Sequence, residues 1–482
     1  MKKNKVFVSG HFNVLHPGHL RLLRFAKESG NLLIVGVESD RIAGNAAYIP
    51  GELRLEGIEA NSWVDEAFLM DEAVDEVILR IKPDIVVKGK EHEKLFNPEL
   101  VALQKYGGKL VFSSGRSMFS TLDLIKKEVS NDNAYRLELP NKYLERHKIG
   151  LNRISQLIHD FKKLKVCVIG DFIVDEYITC EPLGMSQEDP TIVVAPIDST
   201  KFIGGAGIVA SHAAGLGAQV DFISISGNDL TREFAINALT KLDLSPDLLI
   251  DESRPTTLKQ RFRSKGKTLL RVSHLHQGSI SLDLQNQIYK KFEGVCSKKL
   301  DLVVFSDFNY GCLPQELLER LISLAKSKGI MLAADSQSSS QIGDISRFKG
   351  MNLITPTEHE GRLSTRDSES GLVILADDLR KRANAQNIFL KLGQDGLLIH
   401  SLSKKTGEFL TDRISALNPS PKDVSGAGDS LLISGAMTMA LGGDIWESAL
   451  LGSLAAAIQV GRLGNVPLDA KSLLDILVEG DK

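Results

Sequence analysis

Short apolar runs alternating with amphipathic stretches occupy almost the whole chain, and that alternation restricts the fold more than any single motif. K-V-F-V-S (5–9), L-L-I-V-G-V (32–37), D-I-V-V-K-G (84–89) and K-L-V-F-S (109–113) make a first series. K-V-C-V-I-G-D from 165, L-D-L-V-V-F-S-D from 300, G-I-M-L-A-A-D from 329, M-N-L-I-T-P-T from 351 and N-I-F-L-K-L-G from 387 make a second. Brief runs of this composition read as buried strands. Strands that alternate with helices pair in parallel, and a doubly wound α/β sheet binds its ligands where the strands end. The residues just past each run are therefore the first candidates for function.

The helical stretches carry their own signals. After Leu15, the residues Leu20, Leu23, Ala26 and Lys27 fall on successive turns before Gly30. Pro17 suits the first turn, where its lack of an N–H costs nothing. Helices are also expected around Leu55 to Trp63, from about Thr121, and over I-S-Q-L-I-H-D-F-K-K-L at 154–164. Between 129 and 150 the pattern lapses into polar, aperiodic sequence, which reads as a linker. The expected division is a domain at 1–128, a linker at 129–150 and a second α/β domain at 151–482, which suits a chain of 482 residues.

Composition narrows the function classes. A hydrophobic fraction of 43% and a charged fraction of 25% are ordinary for globular domains. A net charge of −3 supplies no overall basic field for nucleic acid. The four cysteines, Cys167, Cys180, Cys296 and Cys312, are scattered and form no C-x-x-C pair. That argues against a disulfide framework or a cysteine zinc site and for a reducing compartment. No run approaches the roughly 18 apolar residues of a membrane span, and the basic amino-terminal start precedes only a short apolar run. The expectation is a soluble, cytoplasmic protein with small-molecule rather than nucleic-acid or membrane partners.

The first run opens into V-S-G-H-F-N-V-L-H-P-G-H (8–19), which holds three of the eleven histidines. His16 and His19 sit three apart at a helix start, so both imidazoles can project past the same helix end. Free N–H groups and the positive dipole end attract phosphate there, and imidazoles can steady charge that builds during attack at phosphorus. Gly10 and Gly18 let backbone approach a nucleotide closely. His11, His16 and His19 could instead ligate a metal, but their spacing matches no common zinc pattern and no acid lies among them. Simple helix capping is the third reading. The combination of strand, glycine, histidines and proline-started helix favours phosphate.

This stretch resembles the nucleotidyltransferase superfamily marked by H-x-G-H, here His16-Pro17-Gly18-His19, and in particular its cytidylyltransferase-like branch. K-P-D-I-V-V-K-G (82–89) and F-S-T-L-D-L-I (119–125) extend the resemblance through about residue 128. It implies a Rossmann-like domain that joins an NTP to a phosphorylated small molecule and releases pyrophosphate. His16 and His19 would steady the α-phosphate, while Gly10, Phe12, Asn13, Lys88, Ser120 and Thr121 would hold the nucleotide. Asn13 stands where the branch usually has Asp. The family's lysine-bearing loop is replaced by S-D-R-I-A-G-N-A-A-Y-I-P-G-E-L-R (39–54), in which Arg41 or Arg54 would have to substitute.

Far downstream, Asp423-Val424-Ser425-Gly426-Ala427-Gly428-Asp429 opens a long apolar helix. Small residues before a helix bare several N–H groups toward one point, and an aspartate there can take the proton of an attacking hydroxyl during phosphoryl transfer. With F-I-G-G-A-G-I-V-A-S-H-A-A-G-L-G-A-Q-V (202–220), the motif resembles the ribokinase-like PfkB sugar kinases over 151–482. The resemblance implies an α/β domain with a small β lid, ATP as co-substrate, and a homodimer formed through the lid. Asp429 would be the catalytic base, Gly426, Ala427 and Gly428 the anion hole, and Glu360 an organiser of Mg²⁺ through water.

Within that family the likeness is to bifunctional heptose 7-phosphate kinase/heptose 1-phosphate adenylyltransferases, with the domain order reversed. G-D-F-I-V-D-E-Y-I-T (170–179), M-S-Q-E-D-P-T-I-V-V (185–194) and F-S-D-F-N-Y-G (305–311) carry it. Asp171 and Asp175 would grip sugar hydroxyls beside Gly204 and Gly205, with Asp307 a further candidate. Three positions depart: Ile208 replaces the Asn after G-G-A-x, Gln337 the lysine of D-P-K-G, and Tyr310 the lysine of D-Y-x-K-G. The lost lysines point to a different or less phosphorylated sugar, and Lys259, Arg261, Arg263 and Arg271 are the remaining cations for a phosphate. The implied activity is anomeric phosphorylation followed by nucleotidyl transfer to an ADP-heptose-like product of surface-polysaccharide synthesis. The alternatives are a PfkB kinase whose first domain only binds nucleotide, and a non-catalytic sensor.

Overall fold

Val6, Phe7 and Val8 have no exposed surface, and the strand they form is the centre of a parallel sheet. The computed structural model describes residues 4–15, 17–89, 97–113, 137, 139–242, 244–264, 267–338, 343–403 and 406–480. The chain divides into two units, Met1–Ala134 and Tyr135–Lys482.

The first unit contains β1 (Lys5–Gly10), β2 (Leu32–Glu38), β3 (Glu66–Met70), β4 (Ile85–Gly89) and β5 (Lys109–Ser113). They lie in the order β3-β2-β1-β4-β5, all parallel. Alternate residues of β1 feed two cores: Val6 and Val8 pack with Leu23, Val35 and Ile58, while Phe7 packs with Ile34, Val77 and Leu103. Each such side chain taken from water is worth about 1.5–3 kcal/mol. The helix Pro17–Glu28 begins at the expected proline. The helix expected around 55–63 runs instead over Gly51–Glu59, and β3 was not among the expected strands. The helix expected from Thr121 lies outside the described residues.

The second unit runs through β6 (Lys165–Gly170), β7 (Phe172–Met185), β8 (Ile192–Gly205), β9 (Gln219–Ser226), β10 (Asp247–Ile250), β11 (Leu258–Ser264) and β12 (Lys267–His274). It continues with β13 (Leu302–Asp307), β14 (Met331–Ser336), β15 (Leu353–Ile354), β16 (Asn387–Lys391), β17 (Leu397–Leu402) and β18 (Phe409–Ile414). A nine-stranded sheet has the order β10-β9-β6-β13-β14-β15-β16-β17-β18, parallel as far as β16 and antiparallel beyond. Strands β12-β11-β7-β8 form a separate four-stranded lid. The helices Ala206–Gly215, Ala427–Ala440 and Ile445–Val460 are apolar on nearly every side and lie buried on the large sheet.

Part of the stretch read as linker belongs to this second unit. Asn141–His147 is a helix whose Tyr143 and Leu144 enter the second core. Tyr143 donates to the Trp446 carbonyl at 3.1 Å, and the His147 ring stacks on Trp446 at 4.0 Å. Two apolar residues among polar neighbours leave no periodic trace, which is why the sequence alone read as linker. The next helix spans Leu151–Asp160, three residues earlier than expected at its start.

Candidate functional sites in the two units

In the first unit, β1 ends at Gly10, and Phe12 takes a left-handed backbone with φ of 50°. That conformation is costly for a bulky residue and is found where a site fixes the chain. It turns the Phe12 ring under Gly10 and edge-on to His19, with centroids 5.2 Å apart. His19 Nδ1 lies 3.1 Å from the Val14 carbonyl, which fixes the ring at the helix start. Asn13 is buried: its amide donates to Ala46 O at 2.7 Å and its oxygen accepts from Tyr48 N at 2.8 Å. Its side chain therefore holds the 46–48 backbone and is committed there. Lys88, near the end of β4, pairs with buried Glu99 at 2.6 Å.

The replacement cations are engaged by other groups of the protein. Arg54 is only 2% exposed and donates to Ile49 O (2.7 Å), His11 O (2.6 Å) and Asp40 Oδ1 (2.6 Å). Arg41 pairs with Asp71 at 3.0 Å on the surface. His11 pairs with Glu38 at 3.0 Å, and that hydrogen bond raises its pKa. His16, Ser120 and Thr121 lie outside the described residues.

In the second unit, Gly426 has φ of 74° and directly precedes the helix Ala427–Ala440. A Cβ there would lie 2.6 Å from Asn465 Oδ1, so only glycine fits. Asp423 braces the turn: it accepts from Ser425 N at 3.1 Å, Gly464 N at 3.1 Å and the Tyr177 hydroxyl at 2.7 Å. Tyr177 comes from the lid, so lid and turn are joined. Asp429, in the first helical turn, is 5% exposed and accepts from Gln337 Nε2 at 3.3 Å. Burial pushes its carboxyl up to about 7, Asp335 and Asp175 add to that, and Lys391 and Lys259 oppose it. Residues far apart in sequence thus share one electrostatic neighbourhood.

The acidic candidates separate. Asp175 accepts from Asn465 Nδ2 at 3.1 Å through Oδ2. Its Oδ1 is buried and has no hydrogen-bond partner among the described residues, with Arg261 3.7 Å away. A Cβ at Gly204 would fall 2.4 Å from Oδ2, so the glycine makes room for the carboxylate. Gly205 caps the helix Ala206–Gly215, and Ala206 N donates to Asp171 O at 2.9 Å. Asp171 itself is turned inward, contrary to expectation. It accepts the backbone N–H groups of Phe308, Tyr310 and Cys312, at 2.8, 3.1 and 3.1 Å. Asp307 is likewise enclosed, accepting from Arg347 and the Ser336 hydroxyl, both at 2.9 Å. Both acids hold the 307–312 turn from behind.

Lys259, Arg261 and Arg263 share one face of β11, since side chains two apart point the same way. Lys259 lies over Phe308 and Tyr310, 4.9 and 5.1 Å from the ring centroids. Arg261 and Arg263 lie over Tyr177 at 5.3 and 4.9 Å. Arg271 is exposed on β12. Ile208 is fully buried in its helix.

Among the described residues, no cluster of three or more His, Cys, Asp or Glu side chains is arranged to hold a metal ion. Glu360 closes a capping box: it accepts from Thr357 N at 2.7 Å and from Ser338 N at 3.0 Å. Each oxygen keeps a further lone pair. The negative field of Asp335, Glu360 and Asp429 converges on Lys391. That surplus of carboxylates fits a largely hydrated Mg²⁺ that arrives with nucleotide phosphates, not a protein cage. No helix among the described residues is long and apolar enough to cross a membrane.

Residues 163–470 match the family described as pfkB family carbohydrate kinase, and residues 7–106 match Cytidylyltransferase-like. The chain is 30% identical over 317 residues to the Bifunctional protein HldE of Desulfatibacillum aliphaticivorans, covering 65% of this chain and 63% of that one. It is 29% identical over 319 residues to the Bifunctional protein HldE of Shewanella baltica, covering 66% and 64%. The chain thus spans somewhat under two thirds of these relatives. Phosphofructokinase-2 from Escherichia coli in complex with substrates and products superposes with a TM-score of 0.55, at 16% identity over 66% of this chain and 100% of that one. Ribokinase from Thermotoga maritima superposes with a TM-score of 0.52, at 19% identity over 65% and 99%. These structures establish the ribokinase-like fold of the second unit.

Proposed function

Because this chain belongs to the pfkB family of carbohydrate kinases, we propose that its second unit phosphorylates a sugar of the heptose phosphate kind at the anomeric hydroxyl, using ATP. We propose further that its first unit transfers a nucleotide from NTP to the resulting sugar 1-phosphate, giving an ADP-heptose-like product and pyrophosphate. The observation that carries the first step is Asp429, buried at the mouth of the Gly426–Gly428 turn with its carboxyl pushed up to about 7. A base poised there matches a neutral operating pH. The sugar oxygen attacks the γ-phosphorus as the bond to the β–γ bridging oxygen breaks. The hydroxyl proton passes to Asp429, and the amides of 426–428 hold the transferring group. Mg²⁺, when bound, would offset charge on the phosphates, with Glu360 reaching it through water. Asp175, whose buried Oδ1 accepts no hydrogen bond within 3.5 Å and faces Arg261 at 3.7 Å, grips a sugar hydroxyl, and Lys259, Arg261 and Arg263 face the sugar's own phosphate.

ATP consumption against a panel of free and phosphorylated heptoses and hexoses tests this reading. A phosphorylated heptose should be the best acceptor, and no turnover of any sugar would refute it. For the first unit, His19→Ala should lower pyrophosphate release from NTP and sugar 1-phosphate by about 10²-fold, with kinase activity unchanged. A second reading, a kinase whose first unit only binds nucleotide, is favoured by Arg54, which is spent on backbone and Asp40. Pyrophosphate release by the full chain would exclude it.

The lid also fits a homodimer. Leu183 and Met185 on β7 and Ile192 and Ile197 on β8 stand 55–67% exposed. Sedimentation velocity should show a dimer that Ile197→Glu dissociates.

A further inference from the structure

Lys391 was not among the expected site residues, yet it ends β16 within the central sheet, at the carboxyl end where such sheets bind ligands. Its Nζ lies 2.7 Å from Asp335 Oδ2, and both side chains are largely enclosed. It also lies 3.0 Å from the position a Cβ would take on Gly428, hard against the start of the helix Ala427–Ala440. A cation at a helix amino terminus meets the positive end of the dipole and the bare N–H groups. Neutralising Asp335 alone would not require that position. An ammonium and a helix start that converge on one point are both complemented when an anion sits between them.

We propose that Lys391 contacts the transferring phosphoryl group, donating to a γ-phosphate oxygen while Asp335 holds the ammonium in place. The inference rests on the reading of the 426–429 turn as the phosphoryl-transfer site. An ammonium has three donors, so one can remain on Asp335 while another meets phosphate. No proton is transferred by Lys391. The bond from the sugar oxygen to phosphorus forms, the bond to the bridging oxygen breaks, and the lysine charge opposes the negative charge that accumulates on the phosphoryl oxygens. The inference also explains how a site with Gln337 in place of lysine keeps a cation. Gln337 Nε2 reaches Asp429 Oδ1 at 3.3 Å, so the two positions flank the same carboxylate.

The test uses the full chain with ATP, heptose 7-phosphate as acceptor, and ADP with magnesium and aluminium fluoride as a mimic of the transferring state. Lys391→Met should lower kcat by about 10²-fold, as loss of one preorganised donor does. It should weaken binding of the fluoride mimic by a similar factor while ADP alone binds as before. Asp335→Asn/Lys391→Met, which also removes the carboxylate that Lys391 pairs with, should show the same loss, and Gln337→Lys added to Lys391→Met should recover at least a tenfold part of it. Wild-type kcat in the Asp335→Asn/Lys391→Met protein, or equal weakening of ADP and the mimic, would overturn the role of Lys391. If Asp429→Asn also left kcat intact, the reading of the turn itself would fall. Loss of activity in Asp429→Asn alone would leave that reading standing and sink only Lys391.

Discussion

Each unit presents a helix start beside a strand end, and the two are furnished in opposite ways. In the first unit the three candidate cations are committed elsewhere: Arg54 to two carbonyls and Asp40, Lys88 to Glu99, Arg41 to Asp71. In the second, charge brought in from β7, β11, β14 and β16 acts on Asp429 at a single helix start, while Tyr177 ties the lid to the same turn. A glycine-rich turn prepares backbone amides, and the chemistry is then decided by side chains that other strands carry to that point.

The largest effect that sharpens this contrast is Asp429→Asn. Phosphorylation of the sugar should fall on the order of 10²–10⁴-fold, the range for removal of a general base, while pyrophosphate release from sugar 1-phosphate stays unchanged. Measuring both reactions on one preparation checks it. Joint loss would mean that the two sites are not independent, and the contrast between them would lose its meaning.

Arg54 offers the next effect, on stability. Its guanidinium is buried and serves two carbonyls and a carboxylate at once. A lysine is a single point charge and cannot span all three acceptors. Arg54→Lys should therefore destabilise the first unit by about 1–2 kcal/mol, through the carbonyls of Ile49 and His11 that lose a charged donor. Calorimetry should show the first unit's transition moving down and the second unit's fixed. An unchanged profile would free Arg54 for a role at the nucleotide.

Much of the architecture was legible because it follows from local pattern. The β1 and β6 runs, the helix starts at Pro17 and Ala427, and the Gly426–Asp429 turn depend on residues adjacent in sequence. What was not legible depends on distance. Nothing near Asp171 reveals that its carboxylate faces the backbone of 308–312 across 137 or more positions. Lys391 looks like the end of an apolar strand until Asp335 and Gly428 are placed beside it. Tyr143 and Leu144 lack periodicity because one helical turn suffices to dock them. Arg54 carries a misleading signal, since sequence shows a cation near a phosphate loop and cannot show that its donors are already used.

The smallest effect is a dependence on pH, and it ties activity to stability in the second unit. Asp429 must be ionised to accept a proton, and its carboxyl is pushed up to about 7, chiefly by burial and then by Asp335. The rate of phosphorylation should therefore rise through pH 7. Lys391 holds the value down, so Lys391→Met should move the midpoint to higher pH, and Asp335→Asn should move it lower. The same displacement acts on the fold. A carboxyl whose folded pKa lies above the unfolded value of about 3.9 binds its proton more tightly when folded, so stability is lost as pH rises from about 4 through 7. Asp429→Asn removes that ionisation. The variant should match the parent near pH 4 and exceed it at pH 8, with a melting temperature higher by a few degrees. A variant less stable than the parent at pH 8 would mean that the charge of Asp429 is compensated in the folded protein, and that this turn does not hold a base at a cost to the fold.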